Sequence, residues 1–189
     1  MKKYQAQTPG RRVVFSVFIG FVFISLIGGM FHFIYDWSGH LTIVGIFAPV
    51  NESLWEHLKM PFFPAVIWWI GSYFVIGKKE KLSSVHWLTA AAIAPVTCLL
   101  FIMTFYYLYT GAFGIHTLFL DASSLFIGAA VGQTAALHIY RYSRLPAGFI
   151  YIAGAIILIV LASFIAFTYF PPHIPLFMDS LTGKYGLQA

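Results

Sequence analysis

The chain has 189 residues, of which 60% are hydrophobic and 9% are charged, and its formal net charge is +5. Soluble domains are about 25% charged, so this composition excludes an ordinary water-soluble globular protein. It is typical of a multi-pass membrane protein with short loops. At roughly 20 residues per span, the length allows about five or six helices and excludes a large transporter.

Stretches without acidic or basic residues predict five transmembrane helices, because each reaches the roughly 18 residues that a spanning helix needs. The third and fourth spans are separated at Thr110-Gly111-Ala112-Phe113-Gly114, and the fifth stops at Pro171-Pro172, which cannot continue a helix. We therefore expect an all-α bundle in a single transmembrane domain over residues 1–189, with an extracytoplasmic tail at residues 171–189. The expected spans are residues 13–35, 53–77, 86–109, 117–140 and 148–170.

Basic residues predict the orientation of this bundle in the membrane. Of the eleven lysines and arginines, only Lys59 and Lys184 fall on the second side of a five-span protein. The positive-inside rule then places the N-terminus in the cytoplasm and the C-terminus outside. The positive charge is a topology signal and attracts anionic lipid, and no nucleic-acid-binding motif accompanies it. The residues on the basic side are Lys2, Lys3, Arg11, Arg12, Lys78, Lys79, Lys81, Arg141 and Arg144.

Five of the six acidic residues and five of the seven histidines are expected on the opposite, outer side. Imidazole and carboxylate groups together are ligands of zinc and of iron or manganese, so a divalent metal is the expected cofactor. The same groups also serve in acid–base chemistry. The outer set comprises Asp36, Glu52, Glu56, Asp121, Asp179, His32, His40, His57, His116 and His173.

The first outer cluster contains His32 and Asp36, which are four residues apart and share one helix face, with His40 just beyond the helix end. A plainer interpretation is also open. His32 belongs to an interfacial aromatic belt, and Asp36 is simply solvated. The belt residues are Phe31, Phe33, Tyr35 and Trp37.

The second cluster is the most distinctive. Glu52 and Glu56 are four residues apart with His57 beside them, so both carboxylates can face one cation. The alternative is a capping box, in which Ser53 caps the helix and Glu56 bonds back to the Ser53 amide. Lys59 lies three residues after Glu56 and is a candidate ion-pair partner. Capping does not account for His57.

The third cluster is His116 with Asp121. Asp121 continues into a stripe of small residues that includes Gly128 and Gly132, which predicts close contact with the bundle rather than with lipid. A later helix start makes Asp121 an ordinary N-cap instead. In the tail, His173 follows two prolines. The apolar residues around it fit either a lid over the outer mouth or an interfacial anchor.

Two segments resemble those of an uncharacterised family of small multi-pass membrane proteins of Gram-positive bacteria. The first is Phe47-Ala48-Pro49-Val50 followed by Asn51-Glu52-Ser53-Leu54-Trp55-Glu56-His57-Leu58-Lys59. The second is the Pro-Leu-Phe-x-Asp-x-x-Thr-Gly-x-Tyr-Gly ending at residues 175–186. The resemblance covers most of the chain. It implies a multi-pass protein of the bacterial plasma membrane but no activity.

Three functions fit these residues. The first is a metal-dependent, membrane-embedded hydrolase that acts on a lipid or another amphipathic substrate. The others are a small transporter or ion-binding protein that works as an oligomer, and a non-enzymatic accessory protein with a membrane protein partner. An enzyme requires that the outer cluster converge within a few ångström. The candidate catalytic residues are Glu52, Glu56 and Asp121, and the candidate metal ligands are His32, His57, His116 and His173.

Overall fold

The computed structural model describes residues 10–188, and they form an all-helical membrane-type bundle, as the composition predicts. Five helical segments are long and apolar enough to cross a membrane. The predicted topology residues Lys2 and Lys3 lie outside the described part of the chain. The helices are α1 Arg11–Trp37, α2 Leu54–His57, α3 Lys59–Ile76, α4 Ser84–Phe113, α5 Leu118–Tyr142 and α6 Phe149–Tyr169.

The helix bounds differ from the predicted spans at two places. The second span is built from α2 and α3, which meet at Leu58 and together occupy Leu54–Ile76. The third is longer than predicted, because α4 continues through Gly111 to Phe113 and is capped by Gly114, whose φ is +63°. A left-handed residue of this kind terminates a helix, and glycine adopts that conformation without a steric penalty.

Four of the long helices pack as a ring. Each of α1, α3, α4 and α5 contacts the next, and α5 closes the ring on α1, while α6 lies outside and packs on α4. One end of the bundle, which we call the basic end, carries Arg11 and Arg12 at the start of α1 and the basic residues of the loops at 78–81 and 141–144. The opposite end, which we call the histidine end, carries His32, His57, His116 and His173.

Glycines set the closest helix contacts in the ring. A Cβ atom on Gly132 would run into the Ala94 carbonyl oxygen, and one on Gly128 would lie 3.1 Å from the sulfur of Cys98. The small-residue stripe of α5 therefore faces α4, as predicted. On α1, a Cβ on Gly28 would lie 3.0 Å from the Met60 carbonyl oxygen of α3. These glycines let the backbones approach closely.

Two apolar cores fill the bundle, one in each half. Both rely on large aromatic side chains, whose burial contributes much of the packing energy. In the basic half, the rings of Trp69 and Trp87 lie 4.8 Å apart between centroids. In the histidine half, the rings of Phe62 and Phe164 lie 5.2 Å apart and join α3 to α6. The helix ends that carry the histidines are thereby fixed relative to one another.

We expect the contact at Gly132 to control stability. Gly132→Ala should lower the unfolding free energy by about 1–3 kcal/mol, because the added methyl group overpacks the α4–α5 contact. Gly154 on α6 is the matched control, since a Cβ there has no atom within 4 Å. Gly154→Ala should leave thermal stability in detergent unchanged or slightly raised. Equal stability of the two variants would contradict the close α4–α5 contact.

Candidate metal site at the histidine end

The loop that precedes α2 brings Glu52 to the mouth of the bundle. Asn51 Oδ1 accepts a hydrogen bond of 2.9 Å from the Ser53 amide, and Ser53 Oγ accepts one of 3.3 Å from the Glu56 amide. Ser53 is therefore the N-cap of α2, as the Ser-x-x-Glu pattern predicts. Glu52 lies just before this cap, and His57 lies at the end of the first helical turn, where its ring contacts the Glu52 carboxylate.

His32, Glu52 and His57 form a compact cluster. One oxygen of Glu52 lies 3.3 Å from His57 Nε2, and the other lies 3.8 Å from His32 Nε2. One ligand atom from each residue lies within 4.8 Å of the other two. The three side chains are between 28% and 36% exposed. The cluster is thus partly enclosed by protein and still accessible from outside.

The position of His32 follows from the packing of α1 on α3. Gly28, one turn earlier on α1, lies against the backbone of Met60, so the two helices are close where they reach the histidine end. The next turn of α1 then carries His32 to the start of the second span. Its ring centroid lies 5.2 Å from that of His57.

A backbone hydrogen bond fixes the orientation of the His57 ring. His57 Nδ1 lies 2.8 Å from the Ser53 carbonyl oxygen. Since a carbonyl only accepts, Nδ1 must carry the proton and donate it. In the neutral ring, Nε2 then carries a lone pair that faces the Glu52 carboxylate. This arrangement favours a proton or a metal cation between the two groups. Metal-binding histidines are typically held by such a second hydrogen bond.

Glu52 is ionised at neutral pH. Contact with the His57 ring, together with the charges of His57 and His32, holds the pKa of Glu52 below its usual range, although partial burial of the carboxyl group acts in the opposite direction. The usual value is already about 4.3. The cluster therefore presents a carboxylate and two imidazoles to any bound cation.

Asp179 in the tail holds the backbone of Glu52. Its Oδ2 accepts a hydrogen bond of 3.2 Å from the Glu52 amide, and its Oδ1 accepts bonds from the amides of Leu181 and Thr182. Burial alone would raise the pKa of Asp179, but the three backbone donors outweigh it and lower that pKa. The tail is thus anchored to the loop that carries Glu52.

Two further contacts attach the tail to the site. Asn51 Nδ2 donates a hydrogen bond of 2.9 Å to the Gly186 carbonyl oxygen. The buried ring of Phe177 packs 5.0 Å from Trp55 of α2 and 5.2 Å from Phe167 of α6, between ring centroids. The tail is therefore folded onto the histidine end, next to the cluster.

Glu56 points into the protein, away from the cluster. Lys59, whose side chain is 0% exposed, donates hydrogen bonds to Glu56 Oε2 at 2.5 Å, to Thr168 Oγ1 at 2.6 Å and to the Gly45 carbonyl oxygen at 2.6 Å. The Thr168 hydroxyl in turn donates to Glu56 Oε1 at 2.8 Å, and the Val50 amide donates to Oε2 at 3.1 Å. The carboxylate is therefore fully used in a buried network.

This network is the structural role of Glu56, which the sequence suggested as a catalytic residue. The predicted capping box forms only in part. Ser53 caps the helix, but its amide bonds to Asn51, and the Glu56 carboxylate bonds to Lys59 instead of turning back. A buried lysine requires a counter-charge, and this requirement outweighs the capping bond.

Asp121 and His116 lie on the neighbouring α4–α5 edge. Thr117 is the N-cap of α5, so Asp121 is in the first turn rather than at the cap. Asp121 Oδ1 accepts a hydrogen bond of 2.6 Å from the Tyr109 hydroxyl, and His116 Nδ1 lies 3.4 Å from the Tyr106 hydroxyl. Neither Asp121 nor His116 belongs to the three-residue cluster.

The remaining histidines of this end have other contacts. The ring of His173 stacks on Tyr185 within the tail, with 4.5 Å between centroids. His40 Nε2 lies 3.0 Å from Asp36 Oδ1 at the exposed end of α1. The first cluster of the sequence is therefore divided, because His32 faces the bundle while Asp36 and His40 face outward. Within residues 10–188, the metal-type group is His32, Glu52 and His57.

A profile of DUF6512, a family of unknown function, matches residues 1–187. The chain belongs to DUF6512. This agrees with the resemblance to an uncharacterised family, while the Gram-positive origin stays a prediction. No curated protein and no solved structure matches the chain. For this DUF6512 member, a function therefore has to be argued from the cluster itself.

The contacts of three residues around the site were not predicted from the sequence. Thr168 is a polar residue near the end of an apolar helix. The sequence offers one reason to expect it in the network, which is that a buried Lys59 needs hydrogen-bond acceptors. Asp179 begins Asp-x-x-Thr-Gly, a turn pattern in which an aspartate accepts bonds from following amides. Tyr109 is buried and its hydroxyl donates to Asp121, a contact between α4 and α5 that spacing within either helix does not reveal.

We expect the Lys59–Glu56 pair to be strongly coupled. Glu56→Gln or Lys59→Met alone should destabilise the protein by about 3–5 kcal/mol, because each leaves a buried charge without its partner. The double variant should recover most of that loss. Thermal unfolding in detergent of the four proteins measures the coupling energy. Additive losses in the double variant would show that the two groups do not interact.

Proposed function

We propose that this DUF6512 member binds a divalent metal ion through His32, Glu52 and His57, and that the site is that of a membrane-embedded hydrolase. The observation that carries the proposal is the convergence of three ligand atoms within 4.8 Å of one another. Two histidines and a glutamate are a ligand set of catalytic zinc, which keeps a further position for water or substrate. The same set also suits iron or manganese.

The spacing of the ligand atoms supports this assignment. Zinc bonds to nitrogen and oxygen ligands are about 2.0–2.1 Å, so neighbouring ligand atoms of a tetrahedral site are about 3.3 Å apart. The nearest contacts of the Glu52 carboxylate are 3.3 Å from Oε2 to His57 Nε2 and 3.8 Å from Oε1 to His32 Nε2, and one ligand atom of each residue lies within 4.8 Å of the other two. Only small side-chain movements are needed to close such a site. The Ser53 carbonyl holds the His57 ring in the required tautomer.

We assign the role of general base to Asp121. A metal-bound water has a pKa lowered to about 7 and needs a nearby group to accept its proton. Asp121 lies in the first turn of α5, which packs on α1, the helix that carries His32, and the Tyr109 hydroxyl donates to one of its oxygens at 2.6 Å. Glu56 is unsuited to this role, because its carboxylate is buried and bonded to Lys59.

The surroundings of the site support a lipid or another amphipathic substrate. The α4–α5 connection beside Asp121 exposes large apolar side chains, including Phe113, Leu118 and Phe119 at 73%, 80% and 78% exposure. Side chains of this kind at a helix end favour the interface between lipid tails and headgroups. The positive-inside rule supports an outward-facing histidine end in the plasma membrane, with the N-terminus in the cytoplasm.

Metal content tests the ligand assignment. Detergent-purified wild-type protein should contain about one zinc, iron or manganese ion per chain by mass spectrometry. His32→Ala, Glu52→Gln and His57→Ala should each lose it, because a site with two remaining ligands binds weakly. His116→Ala and His173→Ala are matched controls on the same end and should retain it.

Two results would contradict the assignment. One is the absence of metal from wild-type protein that is folded and monodisperse. The other is a metal that the His57→Ala and His173→Ala variants retain equally. Either result would favour an accessory protein in which the outer groups stabilise loops and bind a protein partner.

The role of Asp121 is tested separately. Metal-loaded wild-type protein should hydrolyse at least one lipid in mixed micelles of ceramide, diacylglycerol or phosphatidylcholine. Asp121→Asn should bind the metal normally and lower the rate by about 10²–10⁴-fold, the usual contribution of a general base. His173→Ala should keep the wild-type rate. A full rate for Asp121→Asn would rule out this residue as the base.

A further inference from the structure

A long apolar groove lies between α1 and α3 in the basic half of the bundle, at the opposite end from the candidate metal site. Its volume is about 470 Å³, and it opens on the outer surface of the helix ring. Carbon-rich side chains dominate its lining, and Arg12 is the charged residue among them. The residues that matter here are Arg12, Phe15, Phe23, Trp68, Gly71 and Val75.

The groove has the length of one lipid leaflet. On α1 its lining runs from Arg12 to Phe23, which is about 16 Å at 1.5 Å per residue. The hydrocarbon region of a bilayer is about 30 Å thick, so one leaflet contributes about 15 Å. A single acyl chain lying along the helices would therefore fill the groove from end to end, with its headgroup at the level of Arg12.

The wall of the groove is apolar and fixed. Trp68 Nε1 donates a hydrogen bond of 3.1 Å to the Ser16 carbonyl oxygen, which satisfies its only polar atom and joins α3 to α1. The Trp68 ring also packs 5.2 Å from Phe23 between centroids. One turn after Trp68 on the same face of α3, Gly71 leaves open space, since a Cβ there has no atom within 4 Å.

The charges at the open end are mainly positive. The Arg12 side chain is 65% exposed, and one of its nitrogens contacts Glu80 at 3.2 Å. That contact orients the guanidinium group and leaves other N–H donors available, since arginine has five. Arg11, Lys78 and Lys79 are exposed at the same end. Basic pockets of this kind between membrane helices bind anionic headgroups.

We propose that this groove binds one anionic phospholipid, with its phosphate on Arg12 and one acyl chain along Trp68 and Gly71. The positive charge at the open end selects an anionic headgroup, while the shape and apolar lining of the groove accommodate the acyl chain. The basic end then holds a specific lipid rather than only a non-specific lipid layer. This site is independent of the metal site, and each can be present without the other.

Native mass spectrometry from detergent tests the site with phosphatidylglycerol and phosphatidylcholine of identical acyl chains. Wild-type protein should retain phosphatidylglycerol preferentially. Arg12→Gln should weaken its retention about fivefold, since one basic group near an anionic headgroup contributes about that factor. Retention of phosphatidylcholine should fall less, because its choline cation offsets the charge of the same phosphate. Gly71→Leu should reduce the retention of both lipids, because the leucine fills the groove.

Gly154→Leu on α6 is the matched control, because a Cβ there also meets no atom within 4 Å. It should leave the retention of both lipids unchanged. Equal retention of the two lipids by wild-type protein would overturn the proposal, as would equal effects of Gly71→Leu and Gly154→Leu. A change of oligomeric state in Gly71→Leu without a change in lipid retention would also overturn it, and would identify the groove as a contact between copies of the chain.

Discussion

The buried Lys59–Glu56 ion pair is the interaction on which the histidine end depends. A lone charge in this apolar interior would be strongly unfavourable, and the pair is tolerated because its polar atoms are bonded. An ammonium group has three N–H donors, and Lys59 uses them on Glu56, Thr168 and Gly45. These bonds connect the second span, the end of α6 and the loop after α1 at one point.

This network separates the two glutamates of the Glu52–Glu56 motif by function. Glu56 faces inward and fixes the start of the second span, whereas Glu52 faces the mouth and joins the two histidines. The tail acts from the other side, since Asp179 holds the Glu52 amide. Glu52 and His57, two of the three proposed ligands, therefore extend from backbone that is fixed on both sides. Such preorganisation is what a metal site or a catalytic site requires.

Sequence patterns predicted the helices well and the site only in part. Long apolar runs are strong signals, so the five spans were expected, and the Ser53 cap and the α5 glycine stripe were expected from local chemistry. Glu52, His32 and His57 were among the candidates, but so were Glu56, His116 and His173. The residues that join the cluster differ from the other candidates in the direction in which each side chain points within the bundle. That direction depends on long-range partners such as Thr168 and Asp179, which no local spacing reveals.

X-ray absorption spectroscopy of the bound metal tests the convergence of His32, Glu52 and His57 most directly. We predict a first shell of nitrogen and oxygen atoms only, at about 2.0–2.1 Å for zinc, with the outer-shell scattering of two imidazole rings. His57→Ala should remove one of the two imidazole contributions or the metal itself. A spectrum without imidazole scattering, or one that His57→Ala leaves unchanged, would contradict a metal site at the mouth of this bundle.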